Sequence, residues 1–178
     1  EYSMTFRKLL LCVCVLALLL PVQSFAGDVE SLLEKRSAIL WFEGEEFGEL
    51  IIGARAQFAF VYVDGALSQA VVKDPGAPDW LRDNIYYYGS KETRKKALFI
   101  VRLRTVKNLD LQLSMIKIGT HTLTPEDVLT NKHYVPVGEL PPDFSAAFAV
   151  AVPLAAVKGT TRTVSVGDYG TELEFPIR

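Results

Sequence analysis

Apolar residues at every second position dominate the latter half of this chain, and that period of two belongs to strands rather than helices. Phe99, Val101 and Leu103 share one side while Arg102 and Arg104 take the other, which describes a strand with a core face and a wet face. Leu109, Leu111, Leu113 and Met115 repeat the pattern against Asp110, Gln112 and Ser114. Ile116 and Ile118 then continue it one residue out of step, so the sequence predicts a bulge or sheet-switching bend near Met115. Phe148, Val150, Val152 and Leu154 alternate with Ala147, Ala149 and Ala151, a strand buried on both sides that should end at Pro153, which has no N–H to donate. Residues 162–166 and 171–177 flank Gly167-Asp168-Tyr169-Gly170 and predict a terminal hairpin, with Leu173, Phe175 and Ile177 inward and Glu172 and Glu174 in water.

Upstream, Phe58, Phe60 and Tyr62 line one side of another strand. Val63-Asp64-Gly65-Ala66 reads as a two-residue Asp-Gly turn into a partner strand over 67–72. Helical signals are sparse: Asp28 can cap a turn through Leu33, and Thr124-Pro125-Glu126-Asp127 offers a cap, a first-turn proline and first-turn acids. The expected fold is all-β, an antiparallel immunoglobulin-like β-sandwich of about seven to nine strands with one or two helical turns. A small closed β-barrel gives the same alternation. Over residues 97–178 this layout resembles bacterial cell-envelope immunoglobulin-like domains in architecture, without the Cys…Trp…Cys arrangement of true immunoglobulin domains, and it implies no particular site residue.

The first 26 residues follow a different logic. Arg7 and Lys8 precede an apolar run over 9–20, then Pro21 and a Ser24-Phe25-Ala26 ending, the layout of a cleaved secretory signal peptide. The run falls short of the roughly 20 apolar residues a spanning helix needs, so no stable membrane span is expected after cleavage. Small side chains at Ser24 and Ala26 place the cut before Gly27, leaving 27–178 as one domain. Glu1, Tyr2 and Ser3 read as extra residues upstream of Met4. Cys12 and Cys14 sit inside the run in no lipoprotein pattern and leave with it, so the remainder has no disulfide and no thiol nucleophile. A cysteine-free exported domain fits a bacterial periplasm or cell surface. With 19 Lys and Arg against 21 Asp and Glu, the chain has no concentrated positive charge for nucleic acid.

Residues 74–96 break the strand pattern. Asp74-Pro75-Gly76-Ala77-Pro78 opens the segment, Trp80 and Tyr86-Tyr87-Tyr88 follow, and Lys91, Arg94, Lys95 and Lys96 close it. Such a long connection is expected to carry structure or function of its own. Asp79 can cap a short helix docking Leu81, Ile85 and Tyr88, and an edge strand over 85–88 fits the same residues. Trp80, Tyr86, Tyr87, Tyr88, Lys91, Arg94 and Lys95 form the candidate partner-binding set, because aromatics beside cations make recognition surfaces. Packing of the aromatics onto the domain, with the basic run simply solvated, is the plainer account.

Catalytic motifs are absent from the sequence. His121 and His133 lack metal-site spacing, though with Glu126 and Asp127 they could converge on the Thr124 turn; no metal or cofactor is expected. Glu45-Glu46 and the strand-alternating Glu172 and Glu174 decorate wet surface rather than a cleft. Two roles remain. One is a non-catalytic exported module that presents residues 74–96 to a protein or glycan partner in the bacterial envelope. The other is a small-ligand or glycan binder, or a hydrolase, with a pocket under that segment and Asp79 or Asp83 as its acid. Concavity at the aromatics separates them.

Overall fold

The computed structural model describes residues 26–175; residues 1–25, with most of the expected signal peptide, and Ile177 lie outside that range. The fold is mostly β, built from antiparallel sheets with few helices. In chain order the elements are α1 (Ala26–Glu34), β1 (Ser37–Phe42), β2 (Glu45–Phe47), β3 (Leu50–Ile52), β4 (Ala56–Val63), α2 (Gly65–Lys73), α3 (Asp79–Ile85) and β5 (Lys96–Thr105). They continue with β6 (Leu109–Leu111), β7 (Ile116–Ile118), β8 (His121–Thr122), β9 (Gly138–Leu140), β10 (Ser145–Pro153), β11 (Thr161–Val166) and β12 (Tyr169–Glu174).

A first four-stranded sheet runs β1-β4-β5-β10 and a second runs β12-β11-β7-β8. One core fills the space between them. Phe58, Phe60, Phe99, Val101, Leu103, Phe148, Val150 and Val152 from the first sheet meet Ile116, Ile118, Val164, Val166 and Leu173 from the second. The strand expected from Phe99 is β5, and its Arg102 and Arg104 are exposed as the alternation requires. The slip at Met115 is a 3-10 turn over Leu113–Met115, and it does switch sheets: β6 pairs with β9, whereas β7 pairs with β11. At Gly119, just past β7, φ is +61° and a Cβ would stand 2.0 Å from the Ala156 carbonyl oxygen, so the turn into β8 admits only glycine.

Three expectations fail locally. Residues 67–72 are not a strand: Asp64 caps α2, accepting the Leu67 N–H at 2.9 Å through Oδ1. Alternation and helical spacing coincide for Leu67 and Val71, both buried, while Val72 is 77% exposed, the signature of a helix showing one face inward. Leu154 lies past the end of β10 in a 3-10 turn and is exposed rather than inward. The terminal hairpin has a tighter connection than four residues, because Tyr169 and Gly170 already pair with Val166 and Ser165.

Helices therefore count for more than the one or two turns expected. α1, α2 and α3 cover the outer face of the first sheet, where Val29, Leu67, Val71, Leu81 and Ile85 pack on Val61, Val63, Leu98, Ile100 and Ala149. Arg36 ties this layer to the sheet through Asp64 at 2.9 Å, with both side chains largely buried. Burial pushes the Asp64 carboxyl up, yet the Arg36 hydrogen bond and the Leu67 N–H hold it below the usual carboxylate range. Among the described residues no helix is long and apolar enough to cross a membrane.

Candidate functional site

The 74–96 segment folds as α3 and the turns after it; no edge strand forms over 85–88. The helix starts after Pro78, with Asp79 in its first turn paired to Arg82 rather than at the cap. Leu81 and Ile85 insert into the helical-side core, so the segment is an integral part of that layer. Tyr88 is partly exposed and turns toward α2, where its hydroxyl packs over Gly65. Lys91, Arg94 and Lys95 are exposed on the turns that lead into β5.

Trp80, Asp83, Asn84, Tyr86 and Tyr87 form one wall of a groove of about 820 Å³. The opposite wall is the connection between β8 and β10, contributing His133, Tyr134, Val135, Pro136 and Val137, with Leu140 and Phe144 behind them. Its floor is the first stretch of β10, Ser145, Ala146 and Ala147. Of the candidate set, Trp80, Tyr86 and Tyr87 line this groove, whereas Tyr88, Lys91, Arg94 and Lys95 do not.

Two polar contacts fix the wall to the floor. Asn84 Oδ1 accepts the Thr130 hydroxyl at 2.9 Å, and Thr130 Oγ1 accepts the Ala149 N–H at 2.8 Å. The Arg102 guanidinium lies 5.0 Å from the centre of the Trp80 ring, a cation–π contact that holds the indole against the sheet. The Tyr86 and Tyr87 rings sit 4.1 Å apart. Burial and the neighbouring Tyr86 hydroxyl raise the Tyr87 pKa to about 12.

His121 and Asp127 do converge, with Nε2 and Oδ2 at 2.8 Å, but His133 lies in the groove wall instead. The same Asp127 oxygen accepts the Thr124 N–H and hydroxyl, each at 2.9 Å, so the carboxylate closes the 124–127 turn. Burial opposes its charge, and the bonds from His121 and Thr124 outweigh that and lower its pKa. Among the described residues no group of three or more His, Cys, Asp or Glu is placed to hold a metal.

Sequence reasoning missed Tyr134, Val135, Leu140 and Phe144. Their signal was the long connection between Leu129 and Phe144, which carries Pro136, Pro141 and Pro142 and is as anomalous in a β protein as residues 74–96. The chain matches no protein-family model, no curated protein and no solved structure. The groove's geometry is accordingly the ground for a functional reading.

Proposed function

We propose that this chain is an exported, non-catalytic binding module that holds a protein or glycan partner of the bacterial envelope in the groove between α3 and the 130–144 connection. The observation that carries this reading is the groove at the aromatic segment, lined by Trp80, Tyr86 and Tyr87 together with Tyr134 and Val135; its concavity is that of the pocket-bearing binder, so the proposal takes the binding part of that second role and leaves its hydrolase part. Such walls offer large contact area with few rotors to freeze. Asp83 is the single carboxylate among the groove-lining residues, beside His133, so a glycan held there would not meet the carboxylate pair that glycoside hydrolysis ordinarily uses. That supports binding over turnover. Within this proposal the two stacked sheets act as an immunoglobulin-like frame for the groove, and export rests on the basic, apolar and small-residue order of residues 4–26.

A photo-reactive residue placed in turn at Tyr86, Tyr134 and Arg94, in cells expressing the full chain, tests the site. Adducts from the two groove positions and none from Arg94 are expected. Equal labelling at all three, or labelling from Arg94 alone, would remove the groove from the reading. Intact mass of the exported protein tests the address, and a form beginning at Gly27 is expected; a form that retains residues 4–26 refutes cleavage.

A further inference from the structure

The floor of the groove is an unfinished sheet edge. β10 pairs with β5 along one side, where Phe148 stands opposite Val101 and Ala147 opposite Arg102. In an antiparallel strand the main-chain groups of successive residues point to opposite sides, so alternate residues serve β5 and the others face outward. Ala149 is of the outward kind: its carbonyl accepts the Leu129 N–H at 2.9 Å, and its N–H goes to Thr130 Oγ1. Ala151 donates outward to the Asp127 carbonyl at 2.8 Å. The chain thus covers this edge with its own extended segment 127–130, bridged through Val128 and Val150.

That cover stops at the Thr130 hydroxyl. Residues 132–134 then coil into a 3-10 turn and lead away to form the far wall. Two residues back along β10, Ala147 and then Ser145 present the same outward N–H and C=O groups, about 7 Å apart along the strand. Among the described residues no backbone or side-chain group is hydrogen-bonded to them. The phase is fixed independently at that end, because the Phe144 carbonyl accepts the Thr105 N–H and leaves Ser145 facing out.

We infer that the groove takes an extended polypeptide segment, which pairs as an added strand with the open edge of β10 at Ser145 and Ala147, a step that rests on the binding role proposed above. Unpaired main-chain donors and acceptors at a two-residue repeat match another polypeptide backbone, and the chain's own segment 127–130 already occupies the adjoining stretch in that manner. Side chains of an added strand point alternately to its two faces. One set meets Trp80 and Tyr87 on the helical side, and the other meets Val135, Leu140 and Phe144 on the side of the inter-sheet core. The preferred segment therefore carries apolar residues at alternate positions for the second wall, and avoids proline where its N–H must reach the Ala147 carbonyl.

The test pans a displayed library of linear dodecapeptides against the full chain, then resynthesises the enriched sequences with N-methyl groups on alternate amides in either phase. Methylation in one phase is expected to weaken binding about tenfold or more, with the other phase close to the parent peptide. Ala147→Pro, which deletes an outward N–H and leaves the β5 ladder intact, is expected to weaken the parent peptide to the same degree; Ser145→Pro is the second variant, and melting curves confirm that each is folded. Equal loss in both methylation phases, unchanged binding by a folded proline variant, or no enrichment over the naive library overturns strand addition. An oligosaccharide array run beside it separates the two proposals. Sugars bound in a Trp80-dependent and Ala147→Pro-insensitive way would overturn strand addition and keep the binding role, whereas neither peptide nor sugar binding would overturn both.

Discussion

The two faces of the β1-β4-β5-β10 sheet are solved by different means. Toward the second sheet, aromatic rings predominate: Phe58 and Phe60 stack with centroids 6.5 Å apart, and Phe99 and Phe148 are fully buried beside them. Toward the helices, the sheet shows smaller side chains, Val61, Val63, Leu98, Ile100 and Ala149, which leave room for α1, α2 and α3. The second cover is also partial. Near Arg102 and Arg104 the helices end, the sheet face turns wet, and the groove opens beside the last helical residue to reach it, Trp80. A face covered by strands and a face partly covered by helices thus share one sheet, and the candidate site lies where the second cover runs out.

Core truncations on each face test whether they form one cooperative unit, and they carry the largest effects. Phe60→Ala should cost about 3–5 kcal/mol and Leu81→Ala about 2–5 kcal/mol in chemical denaturation. Trp80 in α3 reports the helical face, and Tyr62→Trp in a Trp41→Phe background reports the inter-sheet core, because Trp41 alternates with the core residues Leu40 and Phe42 and lies on the other face. Single-tryptophan variants should give coincident midpoints for both truncations. A lower midpoint for Trp80 alone in Leu81→Ala would split the comparison, making the helical layer a separately melting cover.

The next effect concerns the strut between the layers. Asp64→Ala removes both the α2 cap and the partner of the buried Arg36, whose side chain is only 7% exposed. A loss of about 3 kcal/mol is expected, because an uncompensated buried charge costs more than the pair contributes. If Arg36→Met combined with Asp64→Ala regains most of that loss, the strut serves mainly to satisfy its own charges.

Legibility in the sequence followed the same division. The inter-sheet face was readable because alternation is unambiguous where one side is core and the other water, as at Val101 to Arg104, and because the Met115 slip must be absorbed by a break in register. The helical face was not readable from Leu67 and Val71, since spacings of two and four agree on that pair. Only Val72, apolar yet exposed, distinguishes them, and exposure is invisible before folding. At the site, Trp80, Tyr86 and Tyr87 announced themselves by composition. The opposing wall did not, because Tyr134 to Phe144 meets α3 only through the path of β10 across the sheet.

A smaller effect sharpens the boundary between covered and open edge. Thr130→Val keeps the shape of the side chain while stripping Ala149 of its acceptor and Asn84 of its donor. About 2 kcal/mol should be lost, the usual cost of leaving buried polar groups unpaired. Amide exchange localises it: the Ala149 N–H should exchange faster in the variant, while Ala151, held by the Asp127 carbonyl, stays protected. Equal acceleration at both amides would mean that segment 127–130 leaves the edge as a unit.

The smallest effect compares two hydrogen-bonded carboxylates, the half-buried Asp64 on the helical side and the buried Asp127 at the β10 edge. Both have folded pKa values below the ordinary range, Asp64 through Arg36 and the Leu67 N–H against the opposing effect of burial, and Asp127 through His121 and Thr124 against the same opposition. A carboxylate of lowered folded pKa contributes stability that is fully present above its unfolded pKa and drains away as pH falls through the folded one. Stability should therefore decline below about pH 4, with protons taken up on unfolding. Asp127→Asn retains an acceptor for the Thr124 N–H, so at neutral pH it should cost only about 1 kcal/mol. Its acid limb should be shallower than that of the parent, and adding Asp64→Asn should flatten the limb further. An acid limb unchanged by either substitution would assign the pH dependence to exposed carboxylates, and the two edges of the molecule would then differ in cover but not in charge.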